Sequence, residues 1–281
     1  MFDVGLHKGE DTEFYLKKGF RVVAFEADPD LAAHCRTRFA DAVRDQRLVI
    51  VEGAITEAAE GSAPGGTVAF YRNLDLSVWG TVVASWADRN ERLGTRVRRI
   101  DVPVVDFAAE LARHGIPHYL KIDIEGCDGV CLAALGRFAE KPDYLSIESD
   151  KKSFARLAAE IEALQALGYT RFAAVQQGAI QHQRPPEPPR EGVAATHVFA
   201  RGASGLFGRE LPEAWLPAHR ILARYRRIFL LYRLFGDDSW FARNALGRKL
   251  LRAAERITGR RIPGWYDTHA HLPDPETAPG G

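Results

Sequence analysis

The chain has 281 residues, a formal net charge of +1 and a hydrophobic fraction of 46%, a composition typical of a globular protein with one large domain, or one domain and an appendage. No apolar run reaches the ~20 residues of a membrane span, and the charged N-terminal stretch is unlike a signal peptide. Its three cysteines, Cys35, Cys127 and Cys131, are too few for a disulfide framework and indicate a reducing compartment. We therefore expect a cytoplasmic protein without a transmembrane segment.

Charge is unevenly distributed along the chain. Residues 201–281 carry 14 Lys and Arg and 8 Asp and Glu, whereas residues 1–200 carry 24 basic and 29 acidic side chains. The C-terminal part is therefore chemically different from the body. We place a domain boundary after residue 202, with a core domain at 1–202 and a basic helical extension with a disordered end at 203–281.

The first 28 residues predict a nucleotide site. An apolar start leads into a turn with Gly5 and Gly9, a helix opens at residues 10–12, and the strand at 21–25 ends in Glu26. This is the order of a Rossmann-like unit, in which the acid accepts hydrogen bonds from ribose hydroxyls. The turn is not a dinucleotide GxGxxG, because His7 stands at its middle glycine position. An ordinary βαβ turn with a solvent-facing acid is the alternative.

Helices and strands alternate through the middle of the chain. Periodicity predicts helices at 29–43 and 104–114 and strands at 48–53, 67–71 and 98–102. A polar loop with aromatic residues, at 73–94, is long enough to suggest a function.

The strand at 119–126 is unusual because its apolar residues alternate with Lys121, Asp123 and Glu125. A strand buried on both faces should not carry three charges. At the carboxyl end of a central strand, these side chains would face a ligand crevice. The alternative is an edge strand with one solvated face.

The remainder of the core domain predicts strands at 144–148, 169–175 and 196–200, with a helix at 153–167. A proline-rich loop separates the last two strands. Since a parallel crossover usually needs a helix, these two should form an antiparallel hairpin at the sheet edge. The expected fold class is α/β: a Rossmann-like three-layer sandwich with a mostly parallel seven-stranded sheet and an antiparallel last strand, plus the C-terminal helical extension.

Three motifs resemble the FkbM family of class I S-adenosylmethionine-dependent methyltransferases. They are Asp3-Val4-Gly5 with Gly9 and Thr12, residues 24–29 (AFEADP), and residues 120–126 (LKIDIEG). The resemblance covers about residues 1–200 and implies that residues 1–202 bind S-adenosylmethionine within a class I methyltransferase sandwich. It also implies methylation at oxygen of a small molecule, a sugar or a natural-product intermediate, so the partner is a small-molecule or glycan acceptor.

The same resemblance implies a set of cofactor-binding residues. In this set, Glu26 would hold the ribose, Ala54 and Ile55 would flank the adenine, and Asp123 would lie near the cofactor amino group or the acceptor. The glycine turn would surround the methionine end. The full set is Asp3, Gly5, His7, Gly9, Thr12, Glu26, Ala54, Ile55 and Asp123.

An alcohol acceptor must lose a proton, which requires a general base or a metal. We expect Asp123 or Glu125 to be that base, with Lys121 setting the local charge, so these three form the catalytic set. Glu148 and His7 are further candidates, although a His in a glycine turn more often has a positioning role. Carboxylates also suit Mg²⁺, but we favour a mechanism without it and assign no metal ligand.

The extension predicts two helices with apolar stripes and many arginines, at 216–235 and 241–258. Three roles are open: packing on the core as a lid or homodimer surface, binding of an anionic substrate or carrier partner, and contact with a membrane surface. Asp267, His269 and His271 alternate near the terminus and are interpreted as surface residues.

Two other function classes remain. A nicotinamide-dependent oxidoreductase is disfavoured by the missing third glycine and the terminal hairpin, and a non-catalytic nucleotide-binding protein would bind the cofactor without turnover. Nucleic acid is not expected as a substrate, because the body is acidic and the basic residues accompany apolar helical stripes.

Overall fold

The computed structural model describes residues 1–57, 66–124, 126–235, 244 and 264–273. The chain divides into two compact units, Met1–Asp143 and Tyr144–Gly281. The expected boundary between a core domain and an extension, after residue 202, stays a prediction.

The secondary structure follows the predicted alternation. The strands are β1 (Phe2–Val4), β2 (Val22–Glu26), β3 (Leu48–Glu52), β4 (Thr67–Asn73), β5 (Val97–Pro103), β6 (Tyr119–Ile122), β7 (Tyr144–Glu148), β8 (Arg171–Gln176) and β9 (Tyr266–His271). The helices are α1 (Glu10–Lys17), α2 (Pro29–Arg38), α3 (Ala40–Arg44), α4 (Ala84–Arg92), α5 (Phe107–His114), α6 (Asp128–Leu135), α7 (Phe154–Ala166) and α8 (Ala218–Phe235).

The main sheet has seven strands in the order β3-β2-β1-β6-β7-β9-β8. β1 is parallel to β2 and to β6, and β2 is parallel to β3. β9 is antiparallel to both β7 and β8. The predicted α/β fold, with a mostly parallel sheet and an antiparallel last strand, is therefore confirmed.

Side-chain caps fix where several helices begin. Asp28 accepts a hydrogen bond from Asp30 N at the start of α2, where proline occupies the first turn. Asp106 and Ser153 cap α5 and α7 in the same way. These caps satisfy amide groups that have no partner within the helix. The helix predicted at 29–43 is divided into α2 and α3, and the helix predicted at 104–114 begins at Phe107.

The strands predicted at 67–71 and 98–102 form a sheet of their own. β4 and β5 pair as an antiparallel hairpin, and Phe70 and Val102 pack with Ala54 in a small apolar cluster. The segment between them, predicted as a polar loop, contains a short 3₁₀ turn at Ser77–Trp79 and helix α4. We call residues 66–105 the hairpin insertion.

The predicted strand at 196–200 is wrong, because these residues adopt no strand. Its alternating pattern has another cause: His197 and Phe199 are buried and Val198 is exposed, although the segment pairs with no strand of the sheet. β9 instead supplies the antiparallel strand, between β7 and β8. Alternation alone did not distinguish the two segments.

His269 and His271 lie in β9, and the interpretation of these histidines as surface residues is wrong. His269 is 1% exposed and lies opposite Ser146 of β7 and Ala173 of β8. Burial lowers the pKa of His269 to about 3, so this side chain is neutral in the folded protein. His271 stacks on Tyr144 with ring centroids 4.4 Å apart.

The predicted helix at 216–235 is present as α8, which buries Ile221, Tyr225 and Ile228. The second predicted helix, at 241–258, lies outside the described residues except for residue 244, and so does the end of the chain beyond residue 273. Within the described part of the chain, no helix is both long and apolar enough to cross a membrane.

Three buried hydroxyl groups join α8 and β9 to the end of β7. The Ser149 and Tyr225 oxygens are 2.8 Å apart, and each lies 2.7 Å from Thr268 Oγ1. A closed triangle of this kind satisfies polar groups that have no access to water. Burial raises the pKa of Tyr225 above its usual value, so the phenol stays protonated.

Replacing Tyr225 with phenylalanine should lower the free energy of unfolding by about 1 kcal/mol, because one buried hydroxyl is lost while Ser149 and Thr268 keep each other as partners. Tyr232→Phe is the matched control, since Tyr232 lies on the same helix and is partly exposed. Urea unfolding of both variants measures the difference. Equal losses would show that the triangle does not stabilise the unit.

Candidate active site

The turn between β1 and α1 is held by main-chain hydrogen bonds. Gly5 N and Leu6 N both donate to Phe25 O, at 3.1 and 2.9 Å. Gly5 has φ 95° and Gly9 has φ 82°, which glycine adopts without steric cost. A Cβ on Gly5 would lie 2.0 Å from the carbonyl oxygen of Asp123. The turn therefore packs directly against the segment that follows β6.

The two glycines make room for protein atoms. A Cβ on Gly9 would lie 2.3 Å from the Phe39 ring, so both positions need glycine for packing within the protein. Their role in cofactor binding stays a prediction.

A buried ion cluster lies beneath this turn. Lys121 Nζ donates to Asp3 Oδ1 at 3.2 Å and to Gly5 O at 3.1 Å. The same ammonium lies 3.5 Å from Asp11 Oδ2 and 3.9 Å from Asp123 Oδ2. Burial disfavours the charged lysine, but the surrounding carboxylates outweigh it and raise the pKa of Lys121 well above its usual value.

The predicted residues Asp3 and Thr12 belong to this cluster. Thr12 Oγ1 donates to Asp3 Oδ2 at 2.7 Å, and Lys121 engages the other oxygen of the same carboxylate. Asp3 is 1% exposed and Thr12 is fully buried. Both carboxylate oxygens of Asp3 are thus used inside the protein, which fixes the end of β1 relative to α1 and β6.

Asp123 differs from the other carboxylates of the cluster because its side chain is 45% exposed. Its amide donates to Val4 O at 2.9 Å, in continuation of the β1–β6 ladder. The following residues are held by Asp128, which accepts from Ile124 N at 3.1 Å, and burial raises the pKa of Asp128. Glu125, the other predicted base, lies outside the described residues. Asp123 therefore presents a carboxylate to solvent beside the turn.

Glu26 lies at the carboxyl end of β2, next to the turn. His7 N donates to its Oε2 at 2.7 Å and Asp28 N donates to its Oε1 at 2.8 Å. The residue is 8% exposed. Burial raises the pKa of Glu26 to about 7, although the two amides act in the opposite direction. Each carboxylate oxygen has capacity to accept a further hydrogen bond.

Ala54 and Ile55 follow β3 and are both buried. Ala54 N donates to Pro103 O at 2.8 Å, and Val105 N donates to Ala54 O at 2.9 Å. The main chain of Ala54 is therefore occupied, so this residue can offer a ligand only apolar contact.

Besides the main-chain bonds to Ala54, side chains of the hairpin insertion contact this region. Arg72 donates to Asp28 Oδ1 at 2.6 Å and also pairs with Asp30. Ser77 Oγ lies 2.8 Å from His7 Nε2, and His7 Nδ1 lies 3.2 Å from Glu10 Oε1. The insertion thus contacts the turn through Ser77, and Asp28 and Asp30, which follow β2, through Arg72.

Sequence reasoning missed several of these residues. Asp28 lies in the AFEADP motif, which assigns it no role, and the start of the predicted helix at residues 10–12 gives no indication that Asp11 pairs with Lys121. Arg72 and Ser77 gave no signal, because their partners are 44 and 70 positions away in the chain. Glu148, a further candidate base, belongs to the second unit, where it lies opposite Asp267.

No group of three or more His, Cys, Asp or Glu residues that could hold a metal ion occurs within the described ranges. In the cluster around Lys121, the ammonium group pairs with the carboxylates of Asp3 and Asp11 and offsets part of their charge.

Comparison with known proteins adds two findings. A family model described as the methyltransferase FkbM domain matches residues 3–170. A stretch of 57 residues is 42% identical to a protein named probable ribosomal RNA small subunit methyltransferase A, from Haloarcula marismortui, and covers 20% of each chain. The chain therefore aligns with about one fifth of that relative.

Gly5→Ala should destabilise the protein far more than Gly94→Ala, which is its matched control. Gly94 has φ 89°, close to that of Gly5, but a Cβ there would meet no atom within 4 Å. The control should cost about 1–2 kcal/mol from backbone strain alone, while Gly5→Ala must also separate the turn from the Asp123 carbonyl. Urea unfolding measures both changes, and equal losses would contradict the close packing of turn and β6 segment.

Proposed function

The chain belongs to the FkbM methyltransferase family, and we propose that it is an S-adenosylmethionine-dependent enzyme that methylates a hydroxyl group of a small molecule, a sugar or a natural-product intermediate. The observation that carries this proposal is the Glu26 carboxylate, which is buried at the end of β2 with both oxygens anchored by main-chain amides beside the glycine turn.

This arrangement fits a ribose. A carboxylate fixed by two amides keeps an acceptor site on each oxygen, and the two hydroxyls of a ribose are adjacent donors. A carboxyl group whose pKa is raised to about 7 by burial gains from new hydrogen bonds to its ionised form. Ala54 and Ile55 would add apolar contact for the adenine.

The residues of the turn would place the methionine end of the cofactor. S-adenosylmethionine supplies an activated methyl group with its own leaving group. Asp3 and Thr12 would act through the rigid turn, because their side chains are occupied by each other and by Lys121. Gly5, His7 and Gly9 would shape the turn around that end, since their amides already donate to Phe25 O, Glu26 Oε2 and Leu6 O. Lys121 would set the charge beneath the turn.

The acceptor must be deprotonated as it attacks the methyl group. Asp123 is a candidate base because its carboxylate is half-exposed beside the turn, and Glu125 follows it in the sequence. The carboxylates around Lys121 have an ammonium partner, which favours a mechanism without Mg²⁺.

The choice of a small or glycan acceptor rests on the family resemblance. The archaeal relative is named for ribosomal RNA, but its match covers one fifth of each chain. So short a match supports methyl transfer as the reaction and does not identify the acceptor. The proposal includes a cytoplasmic location, which the free cysteines favour. A homodimer or carrier contact through the C-terminal helices is also proposed, supported by Leu230 and Leu234, which are exposed on α8.

Binding of S-adenosylmethionine should depend on the ionisation of Glu26. In the protein without cofactor, the Glu26 carboxyl has a pKa of about 7. The ribose hydroxyls donate hydrogen bonds to its carboxylate form. Protons therefore compete with the cofactor, so the affinity should be constant above pH 7 and fall about tenfold per pH unit below it. Isothermal calorimetry between pH 6 and pH 8 measures this dependence.

Glu26→Gln should weaken binding on the order of 10- to 100-fold and remove the pH dependence that Glu26 causes, while any titration of the ligand remains in both proteins. Glu52→Gln is the matched control, because Glu52 ends the neighbouring strand in register with Glu26 and pairs with Arg36. Tight binding of NADH with no binding of S-adenosylmethionine would contradict the proposed function.

A further inference from the structure

Three side chains form a hydrogen-bonded series across the turn and the hairpin insertion. Ser77 Oγ lies 2.8 Å from His7 Nε2, and His7 Nδ1 lies 3.2 and 3.3 Å from the two oxygens of Glu10. A hydroxyl, an imidazole and a carboxylate in this order form the arrangement by which an imidazole removes a proton from an alcohol.

The carboxylate decides which nitrogen of His7 carries the proton. Burial, the largest influence, raises the pKa of Glu10, but the hydrogen bond with His7, the charge of His7 when it is protonated, and the amides of Glu10 and Lys8 outweigh it and lower that pKa overall. An ionised Glu10 accepts a hydrogen bond and cannot donate one. Nδ1 therefore holds the proton, and the lone pair of Nε2 faces the hydroxyl of Ser77.

The main chain holds this imidazole close to the proposed ribose contact. His7 N donates to Glu26 Oε2, so one residue connects the ribose carboxylate to the imidazole. His7 has φ 51°, a conformation that non-glycine residues adopt at a cost and that often occurs at functional sites. Cys35 Sγ donates to His7 O at 3.3 Å and holds the residue from the other side.

We propose that His7 is the general base of the methyl transfer, that Glu10 is its positioning residue, and that the acceptor hydroxyl takes the place of Ser77 Oγ. This inference rests on the proposed function. Ser77 is exposed and belongs to the hairpin insertion, so an acceptor can displace it from Nε2 without opening the core.

The step balances as a single displacement. The acceptor oxygen forms a bond to the methyl carbon while the bond from that carbon to sulfur breaks. The electron pair of the broken bond stays on sulfur, which leaves as a thioether. The acceptor O–H proton moves to His7 Nε2, and Glu10 stabilises the resulting imidazolium. The proton then leaves to water, which restores the neutral imidazole.

The tautomer of His7 gives a test that needs neither cofactor nor acceptor. Nitrogen-15 NMR of the free protein should show the neutral His7 ring protonated at Nδ1, with the resonance assigned by its loss in His7→Asn. Glu10→Gln should remove this preference. A neutral ring protonated at Nε2 in the wild type would overturn the proposal, because that nitrogen then has no lone pair for the acceptor proton.

The second test compares cofactor binding with methyl transfer. The probe is S-adenosylmethionine with a labelled methyl group, mixed with a deproteinised extract of the source cells as the acceptor pool. Asparagine tolerates positive φ and keeps the amide that binds Glu26. His7→Asn should therefore change cofactor affinity less than tenfold but lower label transfer by about 100-fold or more.

Rescue of label transfer by added imidazole distinguishes the loss of a general base from a loss of structure. His7→Gly removes the imidazole at a φ that glycine prefers, and added imidazole should restore part of its label transfer while leaving His7→Asn unchanged. Asp123→Asn is the comparison for the other candidate base. Label transfer by His7→Asn near the wild-type rate, or no rescue of His7→Gly, would overturn the assignment.

Ser77→Ala distinguishes two roles of the Ser77 hydroxyl: one that the acceptor displaces from His7, and one that only holds the hairpin insertion against the turn. If the acceptor replaces Ser77 Oγ, this variant should need less acceptor extract for half-maximal labelling, since a competing hydroxyl is gone. A loss as large as that of His7→Asn would instead mean that the contact only fastens the insertion. If wild-type protein neither binds S-adenosylmethionine nor transfers label, the proposed function itself fails, independently of the base.

Discussion

The arrangement of the first unit depends on the ion pairs that the buried ammonium group of Lys121 forms. Burying a charge costs several kcal/mol unless partners compensate for it, and here Asp3 and Asp11 lie within 3.5 Å of the ammonium nitrogen. Removing the lysine would take its ammonium group away from two buried carboxylates, a change that typically costs about 3–5 kcal/mol. Because these groups belong to β6, β1 and α1, the ion cluster fixes the three elements that frame the turn.

The geometry of the site follows from that constraint. With β1 and β6 fixed, Gly5 approaches the Asp123 carbonyl as closely as a residue without Cβ allows. The turn then presents His7 N to the Glu26 carboxylate, and the imidazole of the same residue reaches the hairpin insertion at Ser77. The charges that hold the fold are thus buried, whereas Asp123 and His7 remain available for chemistry.

The sequence predicted the parts of this site that lie at strand ends. Glu26 and Asp123 were identifiable because an acid after a buried apolar run, or charges inside one, need a partner or a ligand. Ser77 and Arg72 were not identifiable, since their partners, His7 for Ser77 and Asp28 for Arg72, are 70 and 44 positions away in the chain. The antiparallel strand was expected at 196–200, but the strand that pairs with β7 and β8 is β9, and its ladder joins residues far apart in the chain.

A crystal structure of the protein with S-adenosylhomocysteine tests the central claim most directly. We expect both ribose hydroxyls within hydrogen-bonding distance of the Glu26 oxygens, with the amino-acid end of the ligand over the turn that Lys121 supports. Nucleoside density elsewhere, with Glu26 making no contact to the ligand, would contradict it.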